Sequence, residues 1–429
     1  MWHQEIRRHT RFNFTVNVLD GAFFGLGLGF ASTVTIIPLF INSLTDSKLL
    51  IGLIASLHTI GWHLPQLLTA ERVSQMRRYK PMVMWMTLHE RWPFLGLALL
   101  ALLVPTLGAE WSLPLAFLLI AWHSLGGGLT ANPWQSMIGK IMPAERIGTF
   151  FGTQSAAANL LASGSAIVAG FLLYAVPSPY NFAICFLLTG GFMAISYIFL
   201  ALTREPEHPL PAASEHQQIG WRRLLAILRQ DKNFRWYILA RMLSQGAWVA
   251  ISFYTVYAVR QFDMTAETAG FLTGLLMLAQ AFANPVLGWI GDHWGHRTVY
   301  AGGALMMTAS AALAWFAPEI GWLYAAFALA GFSNAAVWSI AMSFTLEFGT
   351  GSEKPLYIGL ANTLIAPFTL LAPIIGGGLA DAFGFHSTFA VAVICGLATA
   401  VLLQFVVRDP QPRTKTLVTP PAAPVSAGN

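Results

Sequence analysis

Long apolar blocks alternate with short polar segments along nearly the whole chain. A run of about 20 apolar residues is the length that a helix needs to cross the hydrocarbon core of a bilayer. The pattern therefore predicts twelve membrane-spanning helices, at about 14–41, 49–69, 81–105, 112–139, 148–176, 179–202, 234–258, 266–290, 298–317, 320–346, 356–380 and 386–407.

The longest polar interruption, at about 203–233, follows the sixth predicted span and divides the chain into two sets of six. We expect an N-terminal bundle at 1–203, a central cytoplasmic loop at 204–232, a C-terminal bundle at 233–409 and a disordered cytoplasmic tail at 410–429. The rear of the loop, GWRRLLAILRQD, predicts an amphipathic helix on the inner leaflet. The plainer interpretation is a surface linker without a regulatory role.

The two halves are weakly similar to each other, and internal repeats are typical of transporters. Asn13-Phe14 opens the first span and Asn233-Phe234 opens the seventh. The fourth and tenth spans are each followed by an acid, a base and then a glycine: Glu145, Arg146 and Gly152 in one half, and Glu353, Lys354 and Gly359 in the other. Together these matches favour duplication.

A composition of 55% hydrophobic and 10% charged residues excludes a soluble globular enzyme and a disordered chain. Positively charged short loops remain in the cytoplasm. Apart from Lys48 and Arg260, the Lys and Arg residues outside the spans all fall on segments that share one side. We therefore expect both termini in the cytoplasm, and we attribute the net charge of +5 to this topology instead of to a nucleic-acid partner.

A loop motif lies between the eighth and ninth spans, where Gly288, Asp292, Gly295 and Arg297 follow the pattern G-x-x-x-D-x-x-G-x-R. Glycine permits a tight turn, and an acidic and a basic side chain can accept and donate hydrogen bonds across helix ends. The motif and its place in a six-plus-six chain resemble the loop signature of the major facilitator superfamily.

The resemblance implies an all-α membrane protein with twelve transmembrane helices in two pseudo-symmetric six-helix bundles. In that family the loop is understood to lock one conformational state, so the resemblance assigns this role to the four motif residues. After the second span only an acid and a base survive, and Glu71 and Arg72 are the weaker counterpart. Alternatively, these residues only form turns and set topology.

Charged groups inside spans cost about 2.5–3.5 kcal/mol on insertion scales, so each is a functional candidate. One face of the first span carries Asn17, Asp20 and Phe24, and one face of the seventh carries Arg241, Gln245 and Trp248 at nearly the same depth. In the resembled family these two spans line the central cavity. We therefore expect both stripes to be cavity walls.

Asp20 is the candidate proton carrier, because a carboxylate that moves between water and a closed site can change its protonation. Arg241 is the candidate anion contact. Two alternatives stay open: Asp20 and Arg241 form a static ion pair, or Asp20 pairs with Arg91, and in neither case does the carboxylate titrate.

Further cavity candidates are His123 and Asn132 in the fourth span and Asn334 and Trp338 in the tenth. In the third span, His89, Glu90 and Arg91 are consecutive and point about 100° apart on a helix, so they cannot all face one cavity.

Metal and nucleotide chemistry are not indicated. His58 and His63 are five residues apart, which is not the spacing of a helical metal site, and Pro93 occupies the second ligand position of an H-E-x-x-H start. Cys185 and Cys395 lie in apolar runs and predict neither a disulfide nor a metal site. The sequence contains no Walker motif, so we expect no cofactor and no direct ATP hydrolysis.

We interpret the chain as a secondary transporter of a small solute, monomeric by default, in a bacterial inner membrane, with protons as a second partner if Asp20 titrates. The alternatives are an uncoupled facilitator or exporter of amphiphilic compounds and, from another class, a transporter-like sensor or lipid scramblase. An intramembrane enzyme would need a nucleophile with a base, or a metal cluster, and the sequence shows neither.

Overall fold

A computed structural model describes residues 2–33, 35–45, 47–207, 221–264 and 266–410. These residues contain helices and connections and no strand. In chain order the helices are α1 (Trp2–Phe30), α2 (Ile36–Asn42), α3 (Lys48–His63), α4 (Gln66–Ser74), α5 (Lys80–Ile141), α6 (Ile147–Ala175), α7 (Tyr180–Ala201), α8 (Trp221–Gln230), α9 (Lys232–Phe262), α10 (Ala266–Trp294), α11 (His296–Trp315), α12 (Gly321–Ala335), α13 (Ala341–Thr345), α14 (Lys354–Phe383) and α15 (Phe385–Val401).

These helices make the twelve predicted passages, which confirms the predicted fold class. α5 supplies two passages because the chain reverses at Gly108, whose φ of 73° is one that side chains other than glycine rarely adopt. Three breaks fall inside single passages: α1 continues into α2, α3 into α4 after Pro65, and α12 into α13 through a π-helical segment at Ala336–Ile340. By length and composition alone, seven helical stretches of the described chain qualify as membrane spans.

The two ends of the molecule differ in charge. One end carries the connections after α4, α5, α7, α10 and α13, with Lys80, Lys140, Arg204, Arg297 and Lys354 on or beside them. We call this the basic end and the opposite one the far end. The predicted central helix is present as α8, which packs Leu224 and Ile227 into the core of the C-terminal half. The predicted tail beyond residue 410 and the front of the loop at 208–220 lie outside the described residues.

The predicted duplication has a direct structural counterpart at the basic end. Asn13 in α1 exchanges two hydrogen bonds with the backbone of Arg204, where the N-terminal half ends, at 2.8 and 2.9 Å. Asn233 in α9 makes the same pair of bonds to the backbone of Arg408, where the C-terminal half ends, at 2.7 and 2.7 Å. In each half, an asparagine near the start of the first helix is thus hydrogen-bonded to the backbone where that half ends.

The apolar cores show where the halves meet. At the far end each half has its own core: residues such as Phe40 and Phe186 pack only within the N-terminal half, and Tyr254 and Phe389 only within the C-terminal half. At the basic end the cores are shared, with Ala70 of one half buried among residues of the other. The same holds in reverse for Met342, Leu346 and Ile358, which complete a core of the N-terminal half. The halves are therefore packed together at the basic end and have separate cores at the far end.

Candidate functional site: a cavity between the two halves

A cavity of about 230 Å³ lies between the two halves, near the middle of the passages. Its walls come from α3 in the N-terminal half and from α9, α12, α13 and α14 in the C-terminal half. The lining residues are Trp62, His63, Arg241, Gln245, Trp248, Val249, Ser252, Asn334, Val337, Trp338, Met342, Asn362, Ile365, Thr369 and Pro373.

Half of the predicted cavity residues line this space: Arg241, Gln245, Trp248, Asn334 and Trp338. Three of them come from α9, where spacings of four and three residues place them on one helix face. In α12, Asn334 donates a hydrogen bond from Nδ2 to Gln280 Oε1 at 2.8 Å, which fixes the orientation of its amide.

Arg241 is a buried cation in the cavity wall, with 7% of its surface exposed. Its Nη1 donates to Asn362 Oδ1 at 3.1 Å, while its Nε has no hydrogen-bond partner among the described residues. The Tyr237 ring lies 6.0 Å from the guanidinium carbon. No carboxylate in the described part of the chain forms an ion pair with Arg241.

An amide network that the sequence did not predict joins this arginine to the opposite half. Asn362 in α14 donates from Nδ2 to Gln66 Oε1 at 2.6 Å and to Gln135 Oε1 at 3.4 Å. Nearby, Thr363 donates to the His63 carbonyl oxygen at 3.1 Å. The available signal was the polar pair Asn362 and Thr369, which are seven residues apart and so share one face of the eleventh passage.

The first-span stripe lies outside the cavity in this conformation. Asp20 Oδ1 accepts hydrogen bonds from Ser196 Oγ at 2.6 Å and from Arg91 Nη2 at 3.3 Å. Phe24 packs its ring against the same guanidinium, with 5.1 Å between the ring centroid and the guanidinium carbon. Asn17 donates to Asn13 and to Thr203. Of the pairings considered for Asp20, the structure contains the one with Arg91, inside the N-terminal half.

The two candidates from the fourth passage also lie outside the cavity. His123 donates from Nδ1 to the Glu90 carbonyl oxygen at 2.7 Å, and its ring stacks on His58 with 6.0 Å between centroids. Asn132 donates from Nδ2 to the carbonyl oxygens of Gln66 at 3.0 Å and Pro355 at 2.9 Å. Because Pro355 belongs to α14, Asn132 joins the two halves below the cavity, toward the basic end.

The loop motif makes a second contact between the halves. Asp292 Oδ1 accepts from the Gly148 amide at 2.7 Å, and Oδ2 accepts from the Thr149 amide at 2.7 Å and its hydroxyl at 2.6 Å. These amides are the free donors at the start of α6, where the helix dipole favours a negative charge. A Cβ on Gly288 would lie 2.2 Å from the Gly148 carbonyl oxygen, so glycine is what permits this approach.

The other motif residues act within the C-terminal half. Gly295 has a φ of 107° and turns the chain from α10 into α11. Arg297 donates to the carbonyl oxygens of Gln404 at 3.1 Å and Val407 at 2.8 Å and pairs with Asp409 at 3.3 Å, so it holds the end of the last passage. Glu71 and Arg72 form no ion pair within the described residues.

Comparisons with known proteins agree with this architecture. The sequence profile of the Major Facilitator Superfamily matches residues 19–260 and 239–428. The class C tetracycline resistance protein of Escherichia coli is 30% identical over 136 residues, which is 32% of this chain and 34% of that protein. The multidrug efflux pump PmrA of Streptococcus pneumoniae is 29% identical over 163 residues, covering 37% and 40%. The matches thus span only about a third of the length of these relatives.

Solved structures match over nearly the whole chain. The fucose:proton symporter FucP of E. coli superposes with a TM-score of 0.76 at 15% identity, covering 91% of this chain and 98% of that one. FucP in its outward conformation gives 0.73 at 16% identity, covering 92% and 99%. With the profile match across both halves and the twelve-passage fold, the chain belongs to the Major Facilitator Superfamily.

Proposed function

We propose that the protein is a secondary transporter that carries a small solute by alternating access, with the cavity between the halves as the solute site. The observation that carries this proposal is the asymmetry of the interface: the halves share their cores at the basic end and have separate cores at the far end. A site near the middle, closed on one side only, is one of the two states that alternating access requires.

The closed end is held by the shared apolar cores and by a few polar contacts between the halves. The polar contacts are the Asp292 bonds to α6, the Asn132 bond to Pro355 and the amide pair of Asn362 and Gln66. Conversion to the opposite state must break them while the far end closes. A solute drives that conversion only as far as it binds the second state better than the first.

We propose that the basic end faces the cytoplasm, because positively charged short loops remain on that side, and that the membrane is the inner membrane of a bacterium. The cavity then opens to the outside. In cells that express a Cys185→Ala/Cys395→Ala background, a membrane-impermeant maleimide should label Ser252→Cys in the cavity wall. It should not label Glu145→Cys at the basic end. Labelling of Glu145→Cys alone would invert the orientation and overturn this assignment.

Coupling to protons is proposed at Asp20. Its carboxylate is buried at the contact of α1, α5 and α7, with Arg91 and Ser196 as partners whose bonds would change on protonation. In proteoliposomes, Asp20→Asn should abolish movement driven by an imposed pH gradient while solute exchange at equal pH continues. Unchanged drive in Asp20→Asn would leave Asp20 a structural partner of Arg91.

A second candidate is export of amphiphilic compounds, which the three tryptophans of the cavity wall favour. Vesicles with an imposed pH gradient distinguish proton-driven uptake from proton-driven export. A symporter, as uptake requires, moves its solute in the direction of proton flow, and an antiporter, as export requires, moves it in the opposite direction. We propose that the protein acts as a monomer.

A further inference from the structure

In the part of the chain that the structure describes, the cavity wall has a positively charged side chain and no negatively charged one. Its lining contains Arg241 and the neutral or cationic His63, and it contains no aspartate or glutamate. His63 donates from Nδ1 to the Thr59 carbonyl oxygen at 2.9 Å, which leaves Nε2 for the cavity. The only permanent formal charge that faces the solute within the described wall is therefore the positive charge of Arg241.

This charge is poorly compensated for its depth. A buried guanidinium is costly unless it is paired and its donors are used. Here the neutral amide of Asn362 accepts from Nη1, and Nε has no partner among the described residues. The neighbouring Tyr300 hydroxyl and Tyr237 ring contribute no negative charge. An anion that entered the cavity would supply the missing negative charge.

The rest of the wall suits a flat apolar body. Trp62 and Trp338, one from each half, lie 5.2 Å apart between ring centroids at an interplanar angle of 37°. Trp248 adds a third indole, whose Nε1 is buried without a hydrogen-bond partner among the described residues. Aromatic rings favour offset or edge contacts with other rings, and the indole N–H would take one further polar atom.

We propose that the solute is a small monoanion, with a carboxylate or a similar acidic group at Arg241 and a flat apolar or aromatic body against Trp62 and Trp338. This inference rests on the proposed transport function and names its substrate class. The solute site is also linked by hydrogen bonds to the contacts between the halves, because Asn362 connects Arg241 to Gln66 in the opposite half.

The first test uses the purified full chain and four related probes: indole-3-acetate, its neutral amide, the cation tryptamine, and acetate. A ligand that prefers the folded state raises the melting temperature. Indole-3-acetate should raise it most, because it alone has both the anionic group and the ring. An equal response to tryptamine or to the amide, or no response to indole-3-acetate, would overturn the proposal.

Substitutions locate the effect. Arg241→Gln should weaken indole-3-acetate binding by about tenfold or more, because hydrogen bonds to charged groups are among the strongest. Trp338→Ala should weaken binding of the same probe. The matched control is Arg260→Gln, which removes an exposed arginine at the far end of the same helix α9 and should leave binding unchanged. Equal affinity in Arg241→Gln would refute the role of the arginine.

A measurement with Arg241 intact covers the case in which Arg241→Gln does not fold. Indole-3-acetate should protect Ser252→Cys, in the background without native cysteines, from alkylation at the far side, and tryptamine should not. Protection by tryptamine alone would overturn the anion class and leave the proposed transport site standing. If Ser252→Cys were unreactive from both sides, the transport proposal would fall with it.

Discussion

Gly288 permits the close contact between α10 and α6 at the closed basic end, because glycine has no Cβ atom. We expect Gly288→Ala to destabilise the closed basic end by about 1–3 kcal/mol, because overpacking of a tight contact costs that much. The population should shift toward the opposite state, and labelling of Ser252→Cys from the far side should slow. Gly274→Ala is the control in the same helix, since a Cβ there meets nothing within 4 Å. Similar effects of both substitutions would contradict the steric explanation.

Asp292 contributes charge where Gly288 contributes space. Asp292→Asn keeps the shape but loses the charge and one acceptor for the donors at the start of α6. We expect a loss of about 1–3 kcal/mol from the closed state, the usual cost of a charged hydrogen bond. Hydrogen exchange of the Gly148 and Thr149 amides should accelerate. Asp409→Asn is the control, because the Asp409 side chain is 44% exposed and pairs with Arg297 within one half. It should leave these amides unaffected.

The N-terminal half has a buried ion pair that joins both ends of α5 to the segment after α7. Lys140 Nζ lies 2.8 Å from Glu205 Oε1, and both side chains are at most 3% exposed. The same carboxylate accepts from the backbone amides of Tyr79 and Lys80. Burial, helped by this carboxylate, raises the pKa of Tyr79 to about 12, so its phenol stays neutral beside the acid.

Glu205→Gln should therefore lower the free energy of unfolding by about 3–5 kcal/mol, since removing one partner leaves a buried charge uncompensated. Thermal unfolding of the purified protein measures this loss. Glu207→Gln is the matched control two residues away. Glu207 pairs with Arg78, and the side chains of Glu207 and Arg78 are 60% and 54% exposed. An exposed pair contributes about 0–1 kcal/mol. Equal losses would mean that burial does not set the strength of the Glu205 pair.

At the level of whole helices, hydropathy predicted every passage because lipid contact imposes a length and an apolar surface on each one. It predicted the rotation of α9, whose stripe of Arg241, Gln245 and Trp248 faces the cavity, but not that of α1. The periodicity of α1 identifies a polar face without saying which neighbour it meets, and Asp20 turned out to meet Arg91 and Ser196. Gln66 and Asn362 were missed because partners 296 residues apart leave no local pattern.

In the molecule as a whole, each of the two halves has its start hydrogen-bonded to its end by an asparagine, Asn13 in one half and Asn233 in the other. The contacts between the halves are of another kind. They are concentrated toward one end and combine shared apolar cores with close glycine contacts and hydrogen bonds, such as the bond of 3.0 Å from Ser339 Oγ to Ser155 Oγ. Separation at the basic end would open those shared cores and leave intact the separate cores of the far end.

That separation can be blocked covalently. In a background without native cysteines, Ser155→Cys/Ser339→Cys should form a disulfide on mild oxidation. A disulfide needs Cβ atoms about 3.5–4.5 Å apart, and the two serine hydroxyls already lie at hydrogen-bonding distance. Exchange of the Gly148 and Thr149 amides should then slow by about tenfold or more, since their opening requires the halves to part. Reductant should restore the original rate.

The control cross-link joins two residues of one half. Asn17 donates to Thr203 Oγ1 at 3.1 Å, so Asn17→Cys/Thr203→Cys places two cysteines near each other within the N-terminal half, where a disulfide leaves the halves free to separate. Its oxidation should not change exchange of the Gly148 and Thr149 amides. If the cross-link between halves also left exchange unchanged, these amides would open by local fraying of α6. The basic end would then not work as a gate between two rigid bodies.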